Sequence, residues 1–140
     1  MLANEKFKPV KQPWHDSGSY FISNIEPAVG EEITLLLRTH KDNVTHCFAE
    51  ISFNGTDFQG FEMTFSHNDI TDRYDYFKAV IPGQSQMYKY RFRLGNENPE
   101  NEIYYSRGGL SKIPPTFNEE CYQANDLWCI VPGFHTPDWA

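Results

Sequence analysis

Apolar and polar residues alternate with a period of two in several short stretches of this chain, and no stretch of any length carries the 3.6-residue period of a helix. The clearest alternation is Met87–Leu94 (MYKYRFRL), with Tyr88, Tyr90, Phe92 and Leu94 on one side and Lys89, Arg91 and Arg93 on the other. A strand sends successive side chains to opposite faces, so this segment reads as a half-buried strand with its aromatic row inward. Residues 44–53 separate Val44, His46, Phe48 and Glu50 from Cys47, Ala49, Ile51 and Phe53, the second set forming the core face. Residues 73–81 separate Tyr74, Tyr76, Lys78 and Val80 from Asp75, Phe77, Ala79 and Ile81. Residues 33–39 (ITLLLRT) read as a buried strand, and Ser19–Ser23, Gly60–Phe65, Ile103–Ser106 and Leu127–Val131 supply the others. Phe61, Met63 and Phe65 of the 60–65 run fall on one side.

Turn residues separate these runs: Pro27 and Gly30, the hairpin signal Asn54-Gly55, and Pro82-Gly83. About eight short strands spaced by Gly, Pro and Asn turns predict an all-β, antiparallel two-sheet sandwich in preference to a barrel. Its core is expected to hold Leu35, Leu37, Ile51, Tyr90, Phe92 and Leu94. Residues 107–125 show no period and are broken by Pro114-Pro115, which predicts a long connection. Residues 1–13, with Lys6, Lys8, Lys11, Pro9 and Pro13, read as a loosely held arm.

A length of 140 residues is that of one domain, and an aromatic content of 16% favours the half-buried surfaces of sheets. A net charge of −7 argues against phosphate-chain partners and anionic membranes, so neither nucleic acid nor membrane is expected. A neutral partner fits better. Residues 1–20 hold no apolar run of signal-peptide length, and no stretch has the length of a membrane helix. Cys47, Cys121 and Cys129 lack metal-site spacing and read as reduced thiols of a cytoplasmic protein. The sequons at Asn43 and Asn54 carry no weight without a secretory signal.

The residues for catalysis are missing. The acidic side chains cluster in turns (Glu31-Glu32, Asp69, Asp72, Glu97, Glu100, Glu102, Glu119-Glu120) rather than as a facing pair, and no serine sits in an elbow motif. The histidines form no two-ligand pair, and His15-Asp16 and His67-Asn68-Asp69 suit at most an adventitious cation. No phosphate-cradling glycine loop occurs. No catalytic residue, metal or cofactor is therefore expected. The aromatics offer more. Phe53 and Phe58 bracket Asn54, Thr56, Asp57 and Gln59, and a ring flanked by polar side chains suits the C–H face and hydroxyl rim of a neutral sugar. If both rings fold into the core instead, the loop is structural.

Several segments, in order, resemble one family. They are Trp14–Ser17, Ile33–Asp42, Asn54–Phe58, Arg73–Pro82, Met87–Leu94, Ile103–Leu110 and the closing Thr136-Pro137-Asp138-Trp139-Ala140. The chain resembles the N-terminal domain, a family 34 carbohydrate-binding module, of the neopullulanase, cyclomaltodextrinase and maltogenic amylase group. The resemblance implies an immunoglobulin-like β-sandwich of about seven or eight strands over residues 14–131. It also implies an arm at 1–13, and at 132–140 the start of a linker to an (α/β)₈ barrel that carries the catalytic Asp, Glu and Asp. On the same basis the module contacts an α-glucan oligosaccharide or cyclodextrin through Phe53, Asn54, Asp57 and Phe58. Its assembly partners are the catalytic barrel of its own chain and that of a partner subunit, in a homodimer of the full-length enzyme. Phe58 stands where many relatives carry Trp, which keeps a ring and loses an N–H donor. The alternatives are a purely structural sandwich with no sugar contact and a free-standing immunoglobulin-like interaction domain.

Overall fold

The computed structural model describes residues 9–16, 18–54, 56–114 and 127–134. Nine strands run through them: β1 (Ile33–His40), β2 (His46–Ser52), β3 (Gln59–Glu62), β4 (Thr64–Asn68), β5 (Tyr74–Ile81), β6 (Tyr88–Gly95), β7 (Ile103–Ser106), β8 (Gly109–Ser111) and β9 (Trp128–Ile130). They build two antiparallel sheets. The smaller has the order β1-β5-β4; the larger has the order β3-β2-β6-β7-β8, with β9 also paired to β6. This is the all-β sandwich that the alternation predicts.

Register explains why the alternation was a sound guide. Ile33, Leu35 and Leu37 of β1 lie opposite Ile81, Ala79 and Phe77 of β5, and Cys47, Ala49 and Ile51 of β2 lie opposite Leu94, Phe92 and Tyr90 of β6. A one-residue slip would turn each of these rows to solvent, so burial fixes the pairing. All these side chains belong to one core between the sheets, and the six expected core residues expose at most 1% of their surface. Each buried Leu, Ile or Phe contributes roughly 1.5–3 kcal/mol.

Four expectations give way to the structure. Ser19–Ser23 is a turn that touches β1 through one bridge, Ile22 to Leu35; its consecutive apolar pair, Phe21 and Ile22, is buried by the bend and not by a strand's alternation. The run 60–65 is two strands in different sheets. The chain crosses between them at Met63, whose N–H donates to the Cys47 carbonyl at 2.9 Å while its side chain enters the core. The expected long connection contains β8, folded onto β7 by a turn at Arg107-Gly108, with Gly109 at φ +107°. Phe53, assigned to the core face by alternation, is 47% exposed, because β2 ends one residue earlier at Ser52. The hairpin that Asn54-Gly55 signals does form, with β2 paired antiparallel to β3 across residues 53–58 of the sequence. Ser17, Gly55, Cys121 and the Thr136–Ala140 segment lie outside the described residues, as do residues 1–8 of the arm and 135–140 of the linker.

Residues 9–13 are tied to the sandwich: the Lys11 N–H donates to Asn43 Oδ1 at 2.7 Å, Asn43 Nδ2 donates to the Pro9 carbonyl, and Pro13 is buried. Among the described residues no helix is long and apolar enough to cross a membrane. One glycine is required by close packing. At Gly83 a Cβ would meet the Gly30 carbonyl oxygen at 2.0 Å, backbone against backbone. Gly83→Ala is therefore expected to lower stability by roughly 1–3 kcal/mol, the usual cost of overpacking. Urea unfolding of the two proteins checks this, and overlapping curves would refute the clash.

Candidate functional site

With Cys47, Ala49 and Ile51 turned inward, β2 must present His46, Phe48 and Glu50 on the outside of the larger sheet. In register, these residues face Gly95, Arg93 and Arg91 of β6, and Tyr104 of β7 faces Arg93 from the other side. Pairing residues 41 and 43 positions apart thus sets Arg91 and Arg93 beside Glu50. Arg91 Nε donates to Glu50 Oε1 at 2.8 Å, and Arg93 Nε donates to Glu50 Oε2 at 3.0 Å. Arg93 Nη1 reaches Glu102 Oε1 at 2.6 Å, and His46 Nε2 lies 2.7 Å from Glu102 Oε2. The result is one chain of alternating groups, His46–Glu102–Arg93–Glu50–Arg91. Gly95 leaves room for it, since a Cβ there would sit 2.7 Å from Glu102 Oε2 and 2.9 Å from His46 Nε2. Partial burial raises the cost of ionising Glu102, but its bonds to His46 and Arg93 outweigh that and hold its carboxyl below the ordinary value.

Aromatic rings stand among these charges. The Arg91 guanidinium carbon lies 3.6 Å from the Phe58 ring centroid and 4.7 Å from that of Tyr104, and Arg93 lies 4.3 Å from the Phe48 ring. A planar guanidinium stacked on a ring gains both dispersion and cation–π attraction. Arg91 and Glu50 are nearly buried, with side chains 8% and 11% exposed, on the side of the sheet opposite the core. The stacked rings contribute to that cover.

The loop that delivers Phe58 is organised by Asn54. Its Oδ1 accepts from the N–H of Thr56 and of Asp57 and from the Ser52 hydroxyl, and its Nδ2 donates to Asp57 Oδ2 at 2.7 Å. Asn54 and Asp57 are therefore brought together and shape the turn. Phe53 and Phe58 are carried apart. Phe53 packs edge-on against Tyr88, an inward residue of β6, whereas half-buried Phe58 packs on Arg91, an outward one. Glu50 and Arg91 escaped the sequence reading as members of this site. The only signal for them was the shared outward parity of opposite charges on two strands whose pairing was unknown.

The other singled-out side chains have structural posts. His15 is 2% exposed inside the sandwich. Its Nδ1–H donates to the Leu36 carbonyl at 2.7 Å, so Nε2 accepts from the Tyr90 hydroxyl at 2.8 Å. Phe21, Phe92 and Trp128 ring it, with centroids 4.7–5.7 Å away. Burial lowers its pKa to about 4, more than the Leu36 bond and Asp16 raise it. Asp69 closes the β4–β5 turn, accepting from the Thr71 hydroxyl and from the N–H of Arg73 and Tyr74. His67 stacks flat on Tyr76 at 4.6 Å. Among the described residues, no group of three or more His, Cys, Asp or Glu is placed to hold a metal ion. A cavity of about 630 Å³ lies elsewhere, lined by Trp14, His15, Asp16, Lys89, Arg107 and Trp128 among others. Leu127, the first described residue after 115–126, also borders it, so this outline is that of the described residues only.

Comparison with known proteins gives two results. A family described as "Alpha amylase, N-terminal ig-like domain" matches residues 14–125. Among solved structures, one named "Cyclomaltodextrinase" is similar with a TM-score of 0.63 and 18% sequence identity, over 91% of this chain and 21% of that chain. At that identity the likeness concerns the fold. The chain spans about a fifth of the length of that relative.

Proposed function

The chain belongs to the α-amylase N-terminal immunoglobulin-like domain family, and on that premise we propose that it is a non-catalytic accessory module of an α-glucan hydrolase that contacts glucan through Phe58. The observation that carries this reading is the Phe58 ring, held by Arg91 on the outside of the sandwich, at the end of a loop whose own polar atoms are tied up by Asn54. A ring fixed in this way loses little entropy on stacking against a sugar. On this reading the parent enzyme hydrolyses α-1,4-glucosidic bonds of cyclodextrins, pullulan or maltooligosaccharides, and its catalytic carboxylates lie on a barrel that follows the module. The module also serves assembly, against the barrel of its own chain and that of a partner subunit in a homodimer. Free Cys47 and Cys129 support a reducing compartment, the cytoplasm.

Nuclear magnetic resonance titration of the 140-residue chain with β-cyclodextrin and maltotetraose tests the reading. The expected dissociation constant is on the order of 1 mM, near −4 kcal/mol, since a few ring contacts must outweigh the entropy of association. Phe58→Ala should abolish binding and, by removing the stack on Arg91, lower stability by only about 1 kcal/mol. Absence of any sugar-dependent shift, joined to a large loss of stability in Phe58→Ala, would instead establish the purely structural sandwich.

A further inference from the structure

The stack does not end at Phe58. The Arg91 guanidinium lies over two rings, Phe58 from the β2–β3 loop and Tyr104 from β7, so a residue of the central strand β6 links a loop ring to a ring of the next strand on the same outward face. Arg91 is itself fixed by Glu50, which also bonds Arg93. Tyr104 is half-buried, and the charges around it are paired with one another, so the surface between the rings is aromatic with internally compensated polar groups. That chemistry suits a neutral polyhydroxyl chain better than an ion.

We propose that Tyr104 is a second glucan-contacting ring, set at a fixed distance from Phe58 by the Arg91 guanidinium, so that the two rings take separate glucose units of one α-1,4-linked chain. This rests on the glucan reading of Phe58 given above. Arg91 is then a positioning residue that need not touch the sugar. Two contacts on one rigid frame also imply a preference by length: maltotetraose, with four units, engages both rings, whereas maltose engages them less completely.

The experiment is titration of the 140-residue chain and its variants with maltose and with maltotetraose, followed by magnetic resonance and accompanied by melting curves. Tyr104→Ala should weaken maltotetraose binding about fivefold or more, the size of one lost aromatic contact. It should also shrink the affinity ratio between the two sugars, and Tyr104→Phe should restore both. Arg91→Lys keeps the charge facing Glu50 but loses the plane that lies on the rings. It should reduce the ratio while the Phe58 and Tyr104 ring resonances move. A merely structural role for these residues would alter melting without altering the ratio. Binding that is lost in Phe58→Ala but unchanged in Tyr104→Ala overturns this inference and leaves the glucan reading intact. Absence of binding by the unsubstituted chain overturns both.

Discussion

Between pH 7.5 and pH 4.5 the folded chain is expected to lose about 2.5 kcal/mol of stability through one side chain, His15. The imidazole is buried among Phe21, Phe92 and Trp128 as a neutral donor–acceptor, and burial brings its pKa down from 6.5 to about 4. A depressed folded-state value means that the unfolded chain takes the proton first. The stabilisation is thus complete above pH 6.5 and is lost progressively as pH falls towards 4. The hydrogen-bonded carboxyls Glu31 and Glu102 start from 4.5 and are lowered from there, so most of the His15 window lies above theirs. In melting temperature the change is on the order of 10 °C for a chain of this size. Urea unfolding of the native chain and of His15→Gln at both pH values isolates the effect. Gln can still donate to Leu36 and accept from Tyr90 but does not titrate in this range, so its stability should change far less between the two conditions. Parallel pH dependence in the two proteins would exclude His15 as the source.

The second large effect is expected from Glu50→Ala, at about 3–5 kcal/mol destabilising. This carboxylate is the joint of the outer-face chain, bonded to Arg91 on one side and Arg93 on the other, and its side chain is only 11% exposed. Removing it leaves the nearly buried Arg91 charge without this carboxylate. Arg93 keeps Glu102 and suffers less. The measurement is again urea unfolding, with a diagnostic double variant. Glu50→Leu combined with Arg91→Leu removes both charges together and should recover at least half of the loss, because apolar pairs of similar volume often replace buried ion pairs at little cost. A double variant as unstable as Glu50→Ala would show that the energy lies in the Phe58–Arg91–Tyr104 stacking and not in the charges.

The sandwich was legible because its strands carry a period that a buried face enforces. Tyr88, Tyr90, Phe92 and Leu94 are inward in the sequence pattern and inward in the core. What the pattern could not supply was pairing. Nothing local in residues 44–53 or 87–94 says that Glu50 faces Arg91, since that contact depends on strand order. The same blindness hid the crossing at Met63, where an unbroken apolar parity continues while the chain changes sheets. The loop residues Phe53, Asn54, Asp57 and Phe58 could be picked out as a group but not sorted. The turn chemistry of Asn54 spends the polar atoms of Asn54 and Asp57 on the loop itself, and the end of β2 at Ser52 sends the two rings to different faces.

The alternating outer-face chain has a consequence at long range. Arg91, Arg93 and Lys89 of β6 share their parity with Glu50, Glu62 and Glu102, three charges of each sign on the outward side of one sheet. The chain as a whole carries −7, and among the described residues Glu31, Glu32, Asp69, Asp72 and Glu97 lie in turns and loops outside the strands. Beyond a Debye length of about 8–10 Å an approaching molecule meets almost no field from this face. A neutral glucan is neither drawn in nor turned away, and encounter proceeds at the unsteered diffusional rate. Dilute buffer and concentrated salt leave that rate alike, so on the proposed glucan reading this face discriminates only after contact, by the fit of rings to sugar.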